Sequence, residues 1–288
     1  MVFIVYSRSV LLYVRALTSL HVGVGRSEGG YVDLPVQRDE FNFPTIWSSS
    51  LKGALKANIR DKDLRQLLGS EPGEEPTRPS AISLLDAKLL LMPVRVLDGV
   101  WSYATTLHFL QYLNKYLEVH SNVSGTKLGS LNLNLDPTKV YSTKFNGDVI
   151  VNEITLRGVE KREKLLTELG LDKLLPNEIR ENILKQGLIV LPDKDNLGLT
   201  TLSKSLVIQY RVKLQIDTKT VDKGPWSEEY IPMETIFVST ILCRDNRSST
   251  QQESTCEKFI NYVDGRAIYV GGKETIGKGL VKLYILRS

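Results

Sequence analysis

Hydrophobic residues occur along the chain in short blocks, most of which have the period of β-strands. The block 10–20 is apolar and rich in β-branched residues, which is typical of a buried strand. Apolar and polar positions alternate over 208–216, which indicates a strand with one solvated face. We predict that this strand pairs with 230–242, so that 208–242 forms a projecting hairpin with its tip at about 217–229.

Helical patterns separate the strands. The hydroxyls of 48–50 offer an N-cap, and leucine or isoleucine recurs every four residues after it, so we predict a helix over about 49–61. The order β, α, β, several interruptions and again β, α, β predicts an α+β sandwich with inserted segments, in a single domain over 1–288, rather than a doubly wound sheet. Further strands are predicted at 84–97 (one long strand or two), 149–156, 188–191, 266–270 and 279–286. Further helices are predicted at about 159–169, 177–186, 197–207 and 257–263, and a strand that turns into a helix at 103–117.

Composition changes this picture little. The chain has 288 residues, of which 42% are hydrophobic and 24% charged, as in an ordinary globular protein. A net charge of +4 permits a nucleic-acid partner without requiring one. No apolar run reaches the roughly 18 residues of a membrane span, and Arg8 and Arg15 interrupt the apolar N-terminal segment. We therefore expect a cytoplasmic protein without a membrane partner.

Two cysteines, Cys243 and Cys256, flank the polar segment 244–255. Two thiols are too few for a four-ligand zinc site. In a cytosolic protein of a mesophile they are expected to be reduced, whereas in a hyperthermophile a disulfide is credible. The sequence leaves both states open.

Familiar catalytic and nucleotide-binding motifs are broken or absent. The glycines of 23–30 do not have the GxGxxG spacing of a dinucleotide-binding turn. The segment 272–279 matches a P-loop until Gly279 replaces the required Ser or Thr, and the short remainder has the pattern of a strand rather than of the helix that a P-loop needs. With three histidines, no HExxH and no local Ser/His/Asp signature, the usual hydrolase chemistry finds no support.

Two segments have the chemistry of a polyanion site. At 49–53, hydroxyls and Lys52 stand at a helix N-terminus, where backbone N–H groups bind phosphate; the alternative is a plain serine N-cap with a solvated lysine. At 269–279, glycines allow close backbone approach and lysines add charge; the alternative is a glycine-rich β-turn. The residues predicted to bind a polyanion are Arg38, Ser49, Ser50, Lys52, Gly271, Gly272, Lys273, Gly277, Lys278 and Gly279.

The chain resembles the RAMP superfamily of CRISPR proteins in four segments. These are LHVGVG with His21, VDLPVQR with Asp33, FPTI followed by SSLKGAL, and GGKETIGKG. More narrowly, they resemble the repeated backbone subunit of the Cmr (type III-B) effector complex, for which VDLPVQR is the most specific. Ser48 stands where the family usually has glycine, and 39–43 is shorter than usual. Both departures lie away from Asp33 and bear on the local path of the loop more than on activity.

The resemblance implies a ferredoxin-like (RRM-like) RAMP core with insertions and a projecting β-hairpin thumb. It implies as partners a guide (CRISPR) RNA, further copies of the chain stacked in a filament, other Cmr subunits, and a target RNA paired to the guide. The polyanion-binding residues would contact the guide RNA. Base pairing with the guide would recognise the target sequence. The protein would therefore contact mostly the RNA backbone and recognise the shape of the duplex.

The resemblance also implies cleavage of the target RNA once per subunit with a divalent metal, Mg²⁺ or Mn²⁺. Asp33 would bind this metal or accept the proton of the attacking 2′-OH; a reference pKa of about 3.9 makes aspartate a weak base and favours the metal. His21 and Glu234 are candidate helpers, with purely structural roles as the equal alternative. The thumb residues predicted to wedge into the duplex are Thr218, Lys219, Thr220, Val221 and Trp226.

Two other functions share these motifs. A RAMP scaffold subunit would bind guide RNA and cleave nothing, if Asp33 were not competent. A guide-processing endoribonuclease would use His21 as a general base, need no metal, and act on precursor RNA as a lone subunit.

Overall fold

The computed structural model describes residues 6–27, 29–70, 73–244 and 254–287. Strands and helices are mixed along the chain. The strands are β1 (Arg8–Ala16), β2 (Thr45–Ile46), β3 (Ile82–Leu84), β4 (Ala87–Val96), β5 (Val100–Thr106), β6 (Tyr141–Ser142), β7 (Gly147–Val151), β8 (Ile154–Lys161), β9 (Leu188–Leu191), β10 (Val207–Leu214), β11 (Val221–Tyr230), β12 (Ile236–Cys243), β13 (Ala267–Tyr269) and β14 (Leu280–Leu286). The helices are α1 (Ser48–Asn58), α2 (Lys62–Gln66), α3 (Leu107–Ser124), α4 (Leu165–Leu169), α5 (Leu171–Leu174), α6 (Asn177–Gln186), α7 (Leu197–Ser203) and α8 (Thr255–Val263).

Four long strands form the centre of one large sheet. Their spatial order is β14-β1-β12-β4, and every contact between neighbours is antiparallel. Along the chain, α1 lies between β1 and β4, and α8 lies between β12 and β14. Because β4 pairs with β12 through its first half and with β5 through its second half, it joins this centre to an outer sheet of β5, β9, β6, β8 and β7.

The sheet has a hydrophobic core on each face. Along β1, Val10, Leu12 and Val14 point into one core, whereas Leu11 and Tyr13 point into the other, as the period of a strand requires. Helices α1 and α8 cover the first face, and α3 with α4 to α6 covers the second. Strands buried on both faces read as continuous apolar runs, which explains the pattern of the block 10–20.

The prediction for the hairpin is wrong in one strand. β10 pairs with β11, with Val207 opposite Tyr230, so the tip comprises 215–220. The predicted partner strand within 208–242 is instead β12, which lies in the central sheet between β1 and β4. All its positions are buried, and such a strand needs a partner on each side and a layer on each face.

The hairpin of β10 and β11 forms a two-stranded sheet of its own, separate from the large sheet. The apolar side chains of β10 are therefore exposed, and the predicted contrast between a solvated and a buried face is absent from this part of the structure. Those exposed are Val207, Ile208, Tyr210, Val212, Leu214 and, just beyond the strand, Ile216.

Several predicted boundaries are also wrong. The predicted strand 149–156 is the hairpin of β7 and β8, whose turn has Asn152 and Glu153 with φ of 46° and 66°. Strand β8 continues to Lys161, where a helix is predicted, because its residues pair with β7 and β6. Of the two possibilities for 84–97, the structure has two strands, the end of β3 and the whole of β4. In contrast to the predicted bounds, α3 extends to residue 124 and α7 ends at residue 203.

The serine N-cap predicted for α1 is wrong. The helix begins one residue earlier, with Trp47 at the N-cap position and no side-chain cap. The carboxylate of Asp86 accepts the backbone N–H of Ser48 at 2.7 Å and so replaces the cap. Ser49 and Ser50 lie within the first turn of the helix.

Cys243 and Cys256 form a disulfide, with their Cα atoms 5.9 Å apart. Of the two states that the sequence leaves open, the structure has the oxidised one. The bond joins the end of β12 to α8. Within the described ranges, no helix is long and apolar enough to cross a membrane.

Candidate functional site

Asp33 lies at the base of the hairpin, where its loop runs beside β11. Backbone hydrogen bonds join Leu34 to Ser227 and Glu229, so the loop forms a short parallel bridge with the edge of the hairpin. Oδ2 of Asp33 accepts two hydrogen bonds from Ser227, one from its backbone N–H at 2.8 Å and one from its hydroxyl at 2.8 Å. The hydroxyl in turn accepts the backbone N–H of Asp33 at 2.9 Å. Oδ1 faces Arg26, whose guanidinium lies 4.0 Å away.

These contacts also set the charge of Asp33. Hydrogen bonds from the backbone and the hydroxyl of Ser227 hold the pKa of Asp33 below its ordinary value, and Arg26 adds to this effect. The Asp33 side chain is 38% exposed. The carboxylate is thus ionised at neutral pH and accessible, which suits cation binding better than proton abstraction.

Glu228 connects the hairpin to the glycine loop, which we define as residues 269–279. Its side chain is fully buried and forms ion pairs with Lys273 at 2.6 Å and Arg211 at 3.3 Å. The indole N–H of Trp226 donates to it at 2.8 Å, and the hydroxyl of Tyr230 donates to its other oxygen. Burial alone would raise the pKa of Glu228, but the hydrogen bonds outweigh it and lower the pKa to about 2.

Glu229 faces the other side of β11, because side chains alternate along a strand. It forms an ion pair with Arg38 at 2.5 Å and accepts the backbone N–H of Val36 at 3.0 Å. The loop that carries Asp33 is therefore attached to the hairpin at both Ser227 and Glu229. Arg38, a predicted polyanion contact, is engaged within the protein.

His21 lies where the hairpin base meets the glycine loop. Its side chain is buried, and Nδ1 donates to the backbone carbonyl of Glu229 at 2.8 Å. The His21 carbonyl accepts the N–H of Gly272 at 3.0 Å. A Cβ on Gly271 would lie 2.4 Å from this carbonyl, and one on Gly23 would lie 2.8 Å from Nε2. His21 is thus packed at a junction of three segments, with its ring enclosed rather than presented to a substrate.

Glu234 does not join this site. Both its carboxylate oxygens bind the guanidinium of Arg15, at 2.9 and 3.0 Å, and the hydroxyl of Tyr103 donates to it at 2.8 Å. It lines a separate cavity of about 700 Å³ with Trp101 and Met233. Among the described contacts Glu234 has none with Asp33 or His21, so the prediction that it assists Asp33 is not supported by the geometry.

The predicted polyanion-binding residues of α1 lie at a second place. Ser49 and Lys52 line a cavity of about 940 Å³ together with Lys56. Burial, and then the neighbouring Lys56, lower the pKa of Lys52. Ser50 instead accepts a hydrogen bond from Gln37 at 2.8 Å. This surface carries positive charge, but it is distinct from the surroundings of Asp33.

Both lysines of the glycine loop have partners within the protein. Lys273 is paired with the buried Glu228, and the ammonium of Lys278 lies 5.1 Å from the ring centre of Tyr230. Gly277 has the left-handed φ of 73°, which favours glycine, and the N–H of Gly279 donates to a backbone carbonyl. The loop is therefore organised by internal contacts around the base of the hairpin.

The predicted thumb residues divide between the tip and the base of the hairpin. The hydroxyls of Thr218 and Thr220 lie 2.7 Å apart at the tip, with Lys219 between them in the left-handed conformation. Val221 begins β11 and is 57% exposed. Trp226 is not at the tip: it lies near the base of the hairpin and borders the same cavity as Asp33.

The residues present fit a divalent cation only in part. The described ranges contain no group of three or more His, Cys, Asp or Glu side chains placed to hold a metal ion. Mg²⁺ often binds through one or two carboxylates and takes its other ligands from substrate phosphates and water. Oδ1 of Asp33 suits that mode, with RNA supplying the phosphates.

Sequence reasoning missed Ser227 and Glu228. The predicted tip at 217–229 includes both, so neither is predicted to lie in a strand. A signal was present, because the bulky residues Trp226 and Tyr230 flank Glu228 at a period of two, as in a strand.

The structure combines a central sheet of antiparallel strands, a glycine loop packed on it, and an aspartate loop joined to a hairpin. This combination defines a RAMP protein. Residues 13–282 match the RAMP superfamily, and the chain belongs to that family. The resemblance read from the four sequence segments is thereby confirmed.

Two curated relatives are similar to the chain over most of its length. The chain is 34% identical over 300 residues to "CRISPR system CMR subunit Cmr4" of Saccharolobus solfataricus, with 94% of each chain covered. It is 31% identical over 290 residues to "CRISPR system Cmr endoribonuclease Cmr4" of Pyrococcus furiosus, covering 96% of this chain and 95% of the relative. Among solved structures, a chain of the type III-B Cmr-beta complex bound to cognate target RNA superposes with a TM-score of 0.77 at 32% identity, covering 97% of this chain and 98% of that one.

Proposed function

We propose that the chain is the repeated backbone subunit of a type III-B CRISPR effector complex. It binds guide RNA in a filament with copies of itself and with other Cmr subunits, and it cleaves target RNA paired to the guide. The observation that carries this proposal is the Asp33 carboxylate, which Ser227 fixes through Oδ2 while Oδ1 remains accessible at the base of a projecting hairpin. The names of the Cmr relatives support the same assignment.

The order β14-β1-β12-β4, with α1 and α8 in the two crossovers, supports a ferredoxin-like core as the finer description of the fold. On this proposal β10 and β11 are the thumb, with its tip at 215–220. The remaining strands and helices, including β5 to β9 and α3 to α7, are the inserted segments.

In the reaction that we propose, the 2′-oxygen of one target nucleotide attacks the adjacent phosphorus in line. The O2′–P bond forms and the P–O5′ bond breaks, so the products carry a 2′,3′-cyclic phosphate and a 5′-hydroxyl. The 2′-OH loses its proton and the leaving oxygen gains one. A continuous A-form strand keeps these atoms out of line, so a nucleotide displaced from the stack is needed, at a cost of a few kcal/mol.

Asp33 would hold a divalent cation, Mg²⁺ or Mn²⁺, through Oδ1. When bound, such a cation neutralises charge that develops on the phosphate oxygens and lowers the pKa of a bound water. The role of this chain's own residues is positional. Ser227 holds Oδ2, and the ion pairs of Glu228 and Glu229 keep the aspartate loop, the hairpin and the glycine loop in one arrangement.

The test compares wild-type and Asp33→Asn subunits in complexes reconstituted with guide and paired target RNA, each with and without EDTA. We expect Asp33→Asn to lower cleavage by about 10²–10⁴-fold with guide and target binding intact. Asp98→Asn, at an exposed acid of the turn between β4 and β5, is the matched control. EDTA should stop wild-type cleavage, and Mg²⁺ or Mn²⁺ should restore it.

If complexes that carry Asp33→Asn cleave at the wild-type rate, the proposal is contradicted. This subunit is then a scaffold, and the cleavage is made by another subunit of the complex. Metal-independent cleavage of precursor repeat RNA by the lone subunit would favour guide processing by His21. The described contacts of His21 do not favour that second function, because its Nδ1 is engaged with a backbone carbonyl and its side chain is buried.

A further inference from the structure

A small cavity lies between the loop that carries Asp33 and residues 223–226 of the hairpin. Its volume is about 290 Å³, near the lower end of the roughly 300–1,000 Å³ of small-molecule pockets. Its floor and walls combine a carboxylate, an aromatic ring, two cations and apolar side chains. Its lining includes Arg26, Asp33, Leu34, Lys223, Pro225 and Trp226.

A β-bulge shapes the hairpin side of this cavity. Arg211 lies opposite Trp226 and Lys213 lies opposite Lys223, so β11 has one residue more than β10 over this interval. Gly224 is in the bulge with φ of 109°, and a Cβ there would lie 2.9 Å from a β10 carbonyl, so only glycine fits. Bulges redirect side chains and are common beside active sites. Here the bulge separates Lys223 from Trp226, and both line the cavity.

Trp226 is held rigidly, because its indole N–H donates to the buried carboxylate of Glu228 at 2.8 Å. The indole N–H is thereby satisfied, and the ring borders the cavity. Tryptophan rings in such positions stack nucleobases without regard to sequence, since every base has a π-face. A subunit that accepts any target needs that kind of contact.

The two cations face the same space without strong partners. The side chain of Arg26 is 75% exposed, and among the described residues its ion-pair partner is Asp33, at 4.0 Å. Lys223 is exposed and has no ion pair within the described residues. Guanidinium and ammonium groups beside an aromatic ring match the phosphate and base of one nucleotide.

We propose that this cavity is a nucleotide slot, which takes the target-strand nucleotide adjoining the cleaved bond. Its base stacks on Trp226, and Arg26 and Lys223 bind its phosphate next to Asp33. The inference rests on the proposed function and deepens it. It also gives Trp226 a different role from the predicted wedge, because the ring receives a displaced nucleotide instead of displacing it.

The test uses complexes with Asp33→Asn subunits, in which the target remains intact. Targets carry a single 5-iodouridine at each position in turn, and irradiation crosslinks it to an aromatic ring that it contacts. We expect a crosslink to Trp226 at one position adjoining each cleaved bond and at no position between. Trp226→Leu should abolish it, whereas Trp101→Leu, in the separate cavity, should not.

A second measurement uses complexes that retain Asp33. Trp226→Leu should lower the rate of target cleavage at low target concentration by roughly 5- to 150-fold, which is the range that stacking of one base contributes. Trp226→Phe should retain most of the activity. Arg26→Ala and Lys223→Ala change exposed side chains and keep the fold, so they test the phosphate contact independently; each should raise the target concentration needed for half-maximal cleavage.

The two proposals fail in different ways. Cleavage by Asp33→Asn would overturn the proposed function. Loss of cleavage in Asp33→Asn together with no Trp226 crosslink, or with crosslinks spread evenly along the target, would overturn the slot alone. If both Arg26→Ala and Lys223→Ala leave the target concentration for half-maximal cleavage unchanged, the proposed phosphate contacts are overturned.

Discussion

Ser227 and Asp33 are 194 positions apart in the sequence and form three hydrogen bonds with each other. Each residue donates and accepts, and one bond on each side comes from the backbone. The carboxylate therefore cannot rotate without breaking a bond to Ser227, in the buried end of β11. The orientation of Asp33 is set by β11 rather than by its own loop.

Ser227→Ala should lower target cleavage by about tenfold, because it removes the hydroxyl that binds Oδ2 and leaves only the backbone N–H; a hydrogen bond to a charged group contributes about 1.5–3 kcal/mol. The measurement is the single-turnover rate at saturating subunit, with guide and target affinities determined in parallel. Ser227→Thr keeps a hydroxyl and should restore the rate. Equal rates for the alanine variant and the wild type would show that Ser227 does not position Asp33.

Gly271→Ala should destabilise the protein by about 1–3 kcal/mol, the cost of a strained backbone position, and more if the chain must shift. Gly271 has φ of 85°, and its Cβ would lie 2.4 Å from the carbonyl of His21. Gly272→Ala is the matched control, because a Cβ there has open space and an ordinary φ. Unfolding in urea compares the two; equal midpoints would contradict the predicted close approach.

Glu228→Gln should show how much the buried charge stabilises the fold. Since the pKa of Glu228 falls from 4.5 to about 2 on folding, its stabilisation is present above pH 4.5 and is lost as the pH falls towards 2. At neutral pH the difference between wild type and variant should be on the order of 3 kcal/mol. Unfolding curves of both proteins between about pH 6 and pH 3 measure it. A difference that stays constant over this range would show that ionisation of Glu228 is not the cause.

Replacing the tip 215–220 by an Asn-Gly turn should preserve the fold and guide binding, because the central sheet does not include the hairpin and such a turn closes two strands well. Target cleavage should fall to about the level of Asp33→Asn, since a strand that stays stacked holds its 2′-OH out of line. Asp33, Ser227 and Trp226 keep their contacts in this variant. Cleavage at the wild-type rate and positions would mean that the tip does not displace a base pair.

The sequence predicts those residues of the site whose role follows from their immediate neighbours in the chain. Asp33 stands out as one carboxylate in an apolar loop, and Gly271 as a glycine in a loop that needs close approach. The pairing of β11 could not be predicted from periodicity, because 221–230 and 236–243 are both plausible partners for β10, and only burial in the central sheet decides between them. Glu234 was a reasonable candidate by its proximity to the hairpin, but its charge is already balanced by Arg15.

The parallel bridge between Leu34 and Glu228 has a mechanical consequence. The bridge couples the loop that carries Asp33 to the hairpin, so the two segments must move together. A hairpin that tilted away from the RNA would displace the Asp33 carboxylate in the same direction. On the function that we propose, cleavage would then require that the hairpin is correctly placed on the RNA.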